Sequence, residues 1–235
     1  MMPYRGMADD FAEIARTIAR QPNLPATLNA IVAHAAHTIP GAEEAAITIK
    51  PGRGRYQTVA STGELPNTVD AIQYETDEGP CVDSLREHQV FHTDDLALDA
   101  RWPVFSRLAA RQTPVMSMLC HPLYLEDDDT LGALNLYSTK PAAFTAPSVQ
   151  VLNTFATHSA IALAKANAEQ QSEHLQVALA TSRTIGTAIG ILMATYKMTE
   201  QQSFDILRMA SQNNHRKLRD VAMDVVETGT LDLRP

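Results

Sequence analysis

Cysteine, tryptophan and unbroken apolar sequence are what this chain has least of. Its 235 residues include two cysteines and one tryptophan, and aromatics make up 6%. Two thiols, Cys81 and Cys120, cannot staple a disulfide scaffold, so a reducing cytoplasm is the expected setting. No apolar run is expected to reach the roughly 18 residues that a membrane-spanning helix needs. The opening MMPYRGMADD also lacks the apolar stretch of a secretory signal, so a membrane is not expected among the partners. Metal-ligand spacing is missing too. His34 and His37 stand three apart on a helix without the glutamate of an HExxH set, and His88, His92 and His121 lie near the cysteines in sequence without CxxC spacing. EDDD at residues 126–129 has neither the alternating oxygen ligands nor the closing Glu of a calcium loop and reads as a solvated turn. Haem is left open by eight histidines, none of which stands out as an axial ligand. No metal site is expected, and no cofactor is identified.

What is present suits ordered globular structure: 45% hydrophobic and 20% charged residues, in a length that allows two modest domains. The formal net charge of −8 argues against general nucleic-acid binding, but its distribution matters more than its sum. Through His174 the chain has 12 basic and 21 acidic residues; after it, 7 basic and 6 acidic. A weakly basic tail fits a shaped RNA better than sequence-blind gripping of a duplex, which draws its affinity from many phosphate contacts.

The tail reads as a three-helix module. In SRTIGTAIGILMATYKM (182–198), Ile185, Ile189, Leu192 and Tyr196 fall on one helical stripe. Thr199 opens a second helix with Gln202 three residues on as a capping box, and Phe204, Leu207 and Ala210 give it an apolar face. A third helix follows Asn213 and Asn214. There Leu218, Val221, Ala222, Val225 and Val226 recur at helical spacing, and Gly229 is the stop. So thin a core is expected to lean on a partner or a second copy. Arg183, His215, Arg216, Lys217 and Arg219 are left over once that core is built. They are free to meet an anion or to pair locally, since Arg216 stands four residues from Asp220 with Asp224 one turn further.

SRTIGTAIGILM, then SFDILRMASQNNHRKLRDVAMDVVETGTL, resembles the ANTAR domain, an RNA-binding module of bacterial transcription antiterminators, over residues 175–231. The resemblance implies binding to paired RNA hairpins in nascent transcripts, which keeps a terminator from forming. By position, the family's signature residues fall on Arg183, Ala188, Gly190, Met193, Phe204, Ser211, Asn214, Lys217, Leu218 and Ala222. One departure stands at Ile189, where the family usually has Lys: a cation near the expected RNA face is missing, and the apolar stripe is longer. The expected RNA-binding residues are Arg183, Thr187, Ser211, Asn214, Arg216, Lys217 and Arg219. The cations would meet phosphates or loop bases, and Ser211 and Asn214 would hydrogen-bond.

The front of the chain, residues 8–170, alternates helix and strand. DFAEIARTIAR and LPATLNAIVAHAAHTI read as amphipathic helices. AAITIK and YQTVAS read as strands around the turn PGRGR. Helices are expected near NTVDAIQY, over VDSLREH and, after Pro103, over VFSRLAARQ. VMSMLCHPLYL and LGALNLYS make a second hairpin around EDDD, and a long helix starts after Pro147. The predicted class is α+β, an antiparallel sheet with flanking helices. DEGPCVDSL (77–85), RWPVF (101–105), the CHPLYL strand, and LGALNLYS followed by Phe144 make this part similar to the GAF family of small-molecule sensor domains, over residues 8–166. That resemblance implies a pocket between the sheet and the segments spanning about residues 65–112. The candidate ligand-binding residues are Tyr74, Cys81, Trp102, Phe105 and Cys120. The small-molecule ligand itself stays unknown: the residue set of cyclic-nucleotide GAF domains is missing, and the surroundings of Cys81 do not resemble a bilin-attachment site. Cys81 has two readings, a thiol activated at a helix start or a packed core thiol.

Ser148 to Tyr196 contains no Pro, and no Gly before Gly186. One continuous helix is expected there, with 167–181 as a helical linker. Leu175, Ser182, Ile189 and Tyr196 repeat at seven, with Ala178, Ile185 and Leu192 between them, a weak heptad that predicts a parallel homodimer. The same stripe could pack on the other two tail helices instead, or both could hold. The expected function is a signal-responsive transcription antiterminator, not an enzyme, sensing an unidentified small molecule or a redox change. The alternatives are a DNA-binding regulator, a sensor working only through protein partners, and a GAF-fold thiol enzyme that reduces free methionine sulfoxide, provided Cys81 and Cys120 meet.

Overall fold

The computed structural model describes residues 4–52, 54–125 and 130–231, with side chains from residue 11 onward. The EDDD turn therefore lies outside the described residues. The chain forms two compact units, Met1–Glu169 and Gln170–Pro235.

The first unit runs α1 (Tyr4–Ala19), α2 (Leu24–Thr38), β1 (Glu44–Ile49), β2 (Gln57–Ser61), α3 (Glu64–Thr76), α4 (Pro80–Glu87), β3 (Phe91–Thr93), α5 (Pro103–Gln112), β4 (Ser117–Tyr124), β5 (Thr130–Ser138) and the first part of α6 (Ala146–Tyr196). The five strands form one antiparallel sheet in the order β2-β1-β5-β4-β3. Alternation along each strand sorts its residues between two cores. Ala45, Ile47, Leu119, Leu123, Leu134 and Leu136 join Ile31, Val32, Leu152 and Phe155 from α2 and α6. Ala46, Met118, Cys120, Ala133 and Tyr137 join Val69, Ile72, Trp102 and Phe105 from α3 and α5. Both faces are covered, so β4 is buried at every position but its last. That is why its sequence reads as an apolar run rather than as an alternation. The three-residue edge strand β3 was not expected from the sequence, being too short to show any period.

The two sequence motifs of this unit are latches. The Glu78 carboxylate accepts the backbone N–H groups of Val104 (2.8 Å) and Phe105 (3.0 Å), capping α5 with an anion at its positive end. Trp102 Nε1 donates to Asp83 Oδ2 at 2.7 Å, and the Arg101 guanidinium lies 4.3 Å over the Trp102 ring. DEGPCVDSL and RWPVF thus hold α4 and α5 to each other.

In the second unit, the later part of α6 packs with α7 (Glu200–Asn213) and α8 (Leu218–Thr228). Its core is Ala188, Leu192, Leu207, Ala210, Val221, Ala222 and Val225, with Ile185, Ile189 and Leu218 against it. The stripe on α6 therefore packs on the other tail helices over residues 185–192. Thr199 and Gln202 form the reciprocal capping box, and Gly229 ends α8 at φ 74°. Phe204 is only half-buried, because Ser203 takes the inward position. The third helix begins at Leu218, not directly after Asn214, so residues 214–217 form a loop.

The helix α6 is continuous over 51 residues. Its charged residues are Lys165, Glu169, Glu173 and Arg183. With so few, and with an 18-residue window averaging a mean hydropathy of 1.5, the helix is long and apolar enough to cross a membrane by length and composition alone, contrary to the expectation that no apolar run reaches that length. Residues 171–180 are exposed on every side of the helix. There Leu175, Val177 and Leu179 are 65%, 57% and 70% exposed.

One backbone position tests this fold. Gly79 has φ +127°, and a Cβ built on it would stand 2.4 Å from Gln73 Oε1. Gln73 cannot step aside, since it accepts the Cys81 N–H and donates to Asp70. Gly79→Ala should cost at least the ~1–3 kcal/mol of such backbone strain. Urea unfolding followed by the fluorescence of Trp102, the sole tryptophan, should show a lower midpoint at unchanged slope.

Candidate functional site

Between the sheet and α3 the first unit buries a polar network. Asp70, on α3, is fully buried. Its Oδ1 accepts the Tyr137 hydroxyl at 2.5 Å and the Gln73 amide at 3.1 Å; its Oδ2 lies 2.9 Å from Thr58 Oγ1 and 3.3 Å from Thr48 Oγ1. The Tyr74 hydroxyl sits 2.8 Å from both threonine hydroxyls. Asn135 Nδ2 donates to Thr48 Oγ1 (2.9 Å) and to Cys81 Sγ (3.1 Å). Asn135 Oδ1 and Ser84 Oγ, both buried, have no partner within the described residues. Burial pushes the Asp70 carboxyl up to about 6, while the hydroxyls of Tyr137, Thr58, Thr48 and Tyr74 pull it down.

Two expected ligand-binding residues, Tyr74 and Cys81, belong to this network, linked through Thr48 and Asn135. Trp102, Phe105 and Cys120 lie in the adjoining apolar core with Cys81 and are 2%, 0% and 0% exposed. This core and the network stand between the sheet and α3–α5. Two cavities lie elsewhere: about 800 Å³ by Asn214, Arg216, Asp224 and Thr228, and about 560 Å³ by Leu98, Asp99, Pro103 and Arg107. Cys81 does start a helix, as its sequence position suggests. Burial, then the charge of Asp70, nevertheless pushes its thiol well above the ordinary range, so the helix terminus does not activate it. Burial raises Cys120 likewise.

Sequence reasoning missed Asp70, Gln73, Thr48, Thr58, Asn135 and Tyr137. A signal for Asp70 was there: a carboxylate on the same helical stripe as Val69 and Ile72, where α3 must face the sheet. Its hydroxyl partners come from sequence distances of 12 to 67 residues and carry no local mark.

In the second unit Arg183 and Lys217 are exposed and form no ion pair among the described residues. Arg216 does not pair with Asp220, four residues on. It precedes α8 rather than lying on it, so helical spacing does not apply. Its guanidinium instead grips Asp224 at 2.5 and 3.2 Å, and Asp220 takes Arg219 at 3.2 Å. Ser211 is engaged in closing the loop: its hydroxyl donates to the Arg216 carbonyl (2.6 Å), and the Arg216 N–H donates to the Ser211 carbonyl (3.0 Å). Thr187 donates back to the Arg183 carbonyl at 3.0 Å. Asn214 caps α7 and is exposed.

The GAF domain family model matches residues 21–164, and the ANTAR domain model matches residues 173–226. No curated protein matches the chain. Among solved structures, the GAF domain of the Acinetobacter phosphoenolpyruvate-protein phosphotransferase is similar at 19% identity and TM-score 0.57, over 73% of this chain and 99% of that one. Its counterpart from Coxiella burnetii matches at 20% identity and TM-score 0.56, over 70% and 96%. The free methionine-R-sulfoxide reductase from Neisseria meningitidis, solved with its substrate, matches at 14% identity and TM-score 0.54, over 69% and 91%. At these identities the likeness is one of fold.

The thiols give a direct check on chemistry here. Neither Cys81 nor Cys120 should react with a thiol-specific disulfide reagent in the native protein at neutral pH, and both should react once it is unfolded. Fast native labelling of either would show an activated, accessible thiol and restore the enzyme alternative.

Proposed function

Because this chain belongs to the GAF domain family and carries an ANTAR domain after it, we propose that it is a signal-responsive RNA-binding regulator that acts as a transcription antiterminator. The second unit binds paired hairpins in nascent transcripts, and the first unit decides when. The observation that carries this reading is the pair of exposed cations Arg183 and Lys217, at positions the ANTAR resemblance marks, outside the core and outside every described ion pair. Arg216 and Arg219 stand beside their carboxylates, so phosphate has to displace Asp224 and Asp220 to reach them. Exposed pairs of this kind are weak and screened by solvent, so displacement is feasible, but it removes part of the gain.

The reading is of a cytoplasmic regulator, not an enzyme. The likeness in fold to a methionine sulfoxide reductase supplies no chemistry by itself, since function resides in sites rather than folds. Burial of both thiols weighs against nucleophilic work. Residues 171–180 support a homodimer through α6: a helix exposed all round with Leu175, Val177 and Leu179 leaves apolar surface that a second copy would cover.

Binding to a two-hairpin RNA, measured against a duplex DNA competitor, tests the function. Lys217→Ala should weaken hairpin binding and lower the salt slope by about one unit. An unchanged slope would remove Lys217 from the phosphate contacts, and equal binding of duplex DNA would favour the DNA-binding alternative. Light scattering on the full chain should give twice the monomer mass, and Leu175→Glu with Leu179→Glu should return it to monomer without loss of helix content. A wild-type monomer at micromolar concentration would end the dimer reading.

A further inference from the structure

Four oxygens, Asp70 Oδ2, Thr58 Oγ1, Tyr74 Oη and Thr48 Oγ1, close a ring of contacts at 2.9, 2.8, 2.8 and 3.3 Å. Each contact needs one hydrogen, and the two threonines and the tyrosine bring three. No neighbour among the described residues supplies the fourth. Tyr137 and Gln73 donate to the other carboxyl oxygen, and Asn135 donates into Thr48 from outside the ring.

With Asp70 ionised, three hydrogens have to serve four contacts. If Thr48 and Thr58 both donate to Oδ2, one Tyr74–threonine contact at 2.8 Å holds no hydrogen; if Thr48 turns its hydrogen to Tyr74, the unserved contact is the one between Thr48 and Oδ2, the longest of the four and so the arrangement the distances favour. With Asp70 protonated on Oδ2, that hydrogen points at Thr48 Oγ1 and the donors follow one another round the ring in a single direction. Oδ1 becomes the carbonyl oxygen and accepts from Tyr137 and Gln73, the bonds it already has. One proton completes the network and moves no heavy atom out of contact.

We propose that Asp70 is a proton-binding site of the first unit: the acid form closes the hydroxyl ring and ties α3 to β1, and the carboxylate form leaves the ring open at Thr48. The ring carries hydroxyls from β1 and β2 and two side chains from α3, so the proton sets how α3 is held to that edge of the sheet. Because burial brings this carboxyl up to about 6, the two forms exchange close to neutral pH. The other titratable groups facing it are Tyr74 on α3, Cys81 on α4, Cys120 on β4 and Tyr137 on β5. Burial raises all four, so they stay neutral through this range. Thr48 and Thr58 do not titrate. Lys50, next to β1, is engaged with the Tyr56 ring and hydroxyl. The folded-state value lies above the ordinary 3.8. Asp70 therefore adds stability that is complete below about pH 4 and is lost as the pH rises through about 6.

The site stands whether or not the second unit binds RNA; use of the proton as a signal rests on the sensor reading. Difference infrared spectroscopy on the full chain, taken from mildly alkaline pH down to about pH 5, separates the two, because it contains no RNA. One carboxylic C=O band should grow in with a midpoint near 6, and Asp70→Asn, whose amide supplies the missing hydrogen, should lack it. No such band by about pH 5, as expected if the only carboxyls titrate in the ordinary range of about 4, would overturn the proposal. Thr48→Val gives an independent sign. If Thr48 accepts the Asp70 proton, its loss destabilises the acid and the midpoint moves down. If Thr48 instead donates to a carboxylate, the midpoint moves up, and the proposal fails.

Discussion

A carboxyl group taken wholly out of water has to be met by donors, and meeting Asp70 draws the first unit together. Hydroxyls from β1, β2 and β5 and an amide from α3 converge on it, and Gln73 passes the linkage on to the N-terminus of α4. Leaving such a group unsatisfied would cost several kcal/mol, so these elements are not free to settle separately. Carboxylates do the same work near the surface. Glu78 caps α5, Asp83 takes the Trp102 N–H, and Glu43 takes the Thr139 N–H at 2.7 Å. Part of the acidity concentrated before His174 is thus acceptor capacity for the unit's own backbone and aromatic donors.

What could be read from the sequence is what depends on neighbours along the chain. The capping box at Thr199 and Gln202, the stop at Gly229 and the stripe through Ile185, Ile189 and Leu192 are each set within a few residues, and each stands in the structure. The two hairpins were legible because their strands alternate or run apolar. The edge strand Phe91–Thr93 had too few residues to show either pattern. Asp70 was passed over because its neighbours Val69 and Ile72 fix the helix face while nothing nearby says who meets its charge; that answer comes from Thr48, Thr58 and Tyr137. Arg216 failed for a related reason: its partner depends on where α8 begins, and the helix starts two residues after it.

Among the described residues of the second unit, three of six Lys and Arg side chains, Arg208, Arg216 and Arg219, are paired with carboxylates. Asp220 and Asp224 each sit against an arginine of the α7–α8 loop or of α8 itself, and Ile189 stands where the ANTAR family usually has lysine. A surface with so small a positive surplus gathers little affinity from counterion release. Under the proposed RNA-binding reading, discrimination comes from the shape of the loop, which Ser211 and Arg216 fix by bonding each other's backbone. That reading favours single-stranded loop bases and stem geometry over long phosphate tracks.

Within the first unit, the two cores share the sheet but not its residues. On β5, Asn135 and Tyr137 point into the polar network while Leu134 and Leu136 point at α6 beside Leu152 and Phe155. On β1, Thr48 faces the network and Ile47 faces the other core. A change on the Asp70 side therefore has no side-chain route to α6 and must act through strand position. Close-packed cores resist that displacement, because their side chains interlock. The consequence is a limit: any signal entering at the network can bias α6 by no more than the difference in free energy between the two network states. A device built this way suits a graded shift between populations of α6 packing better than an all-or-none throw.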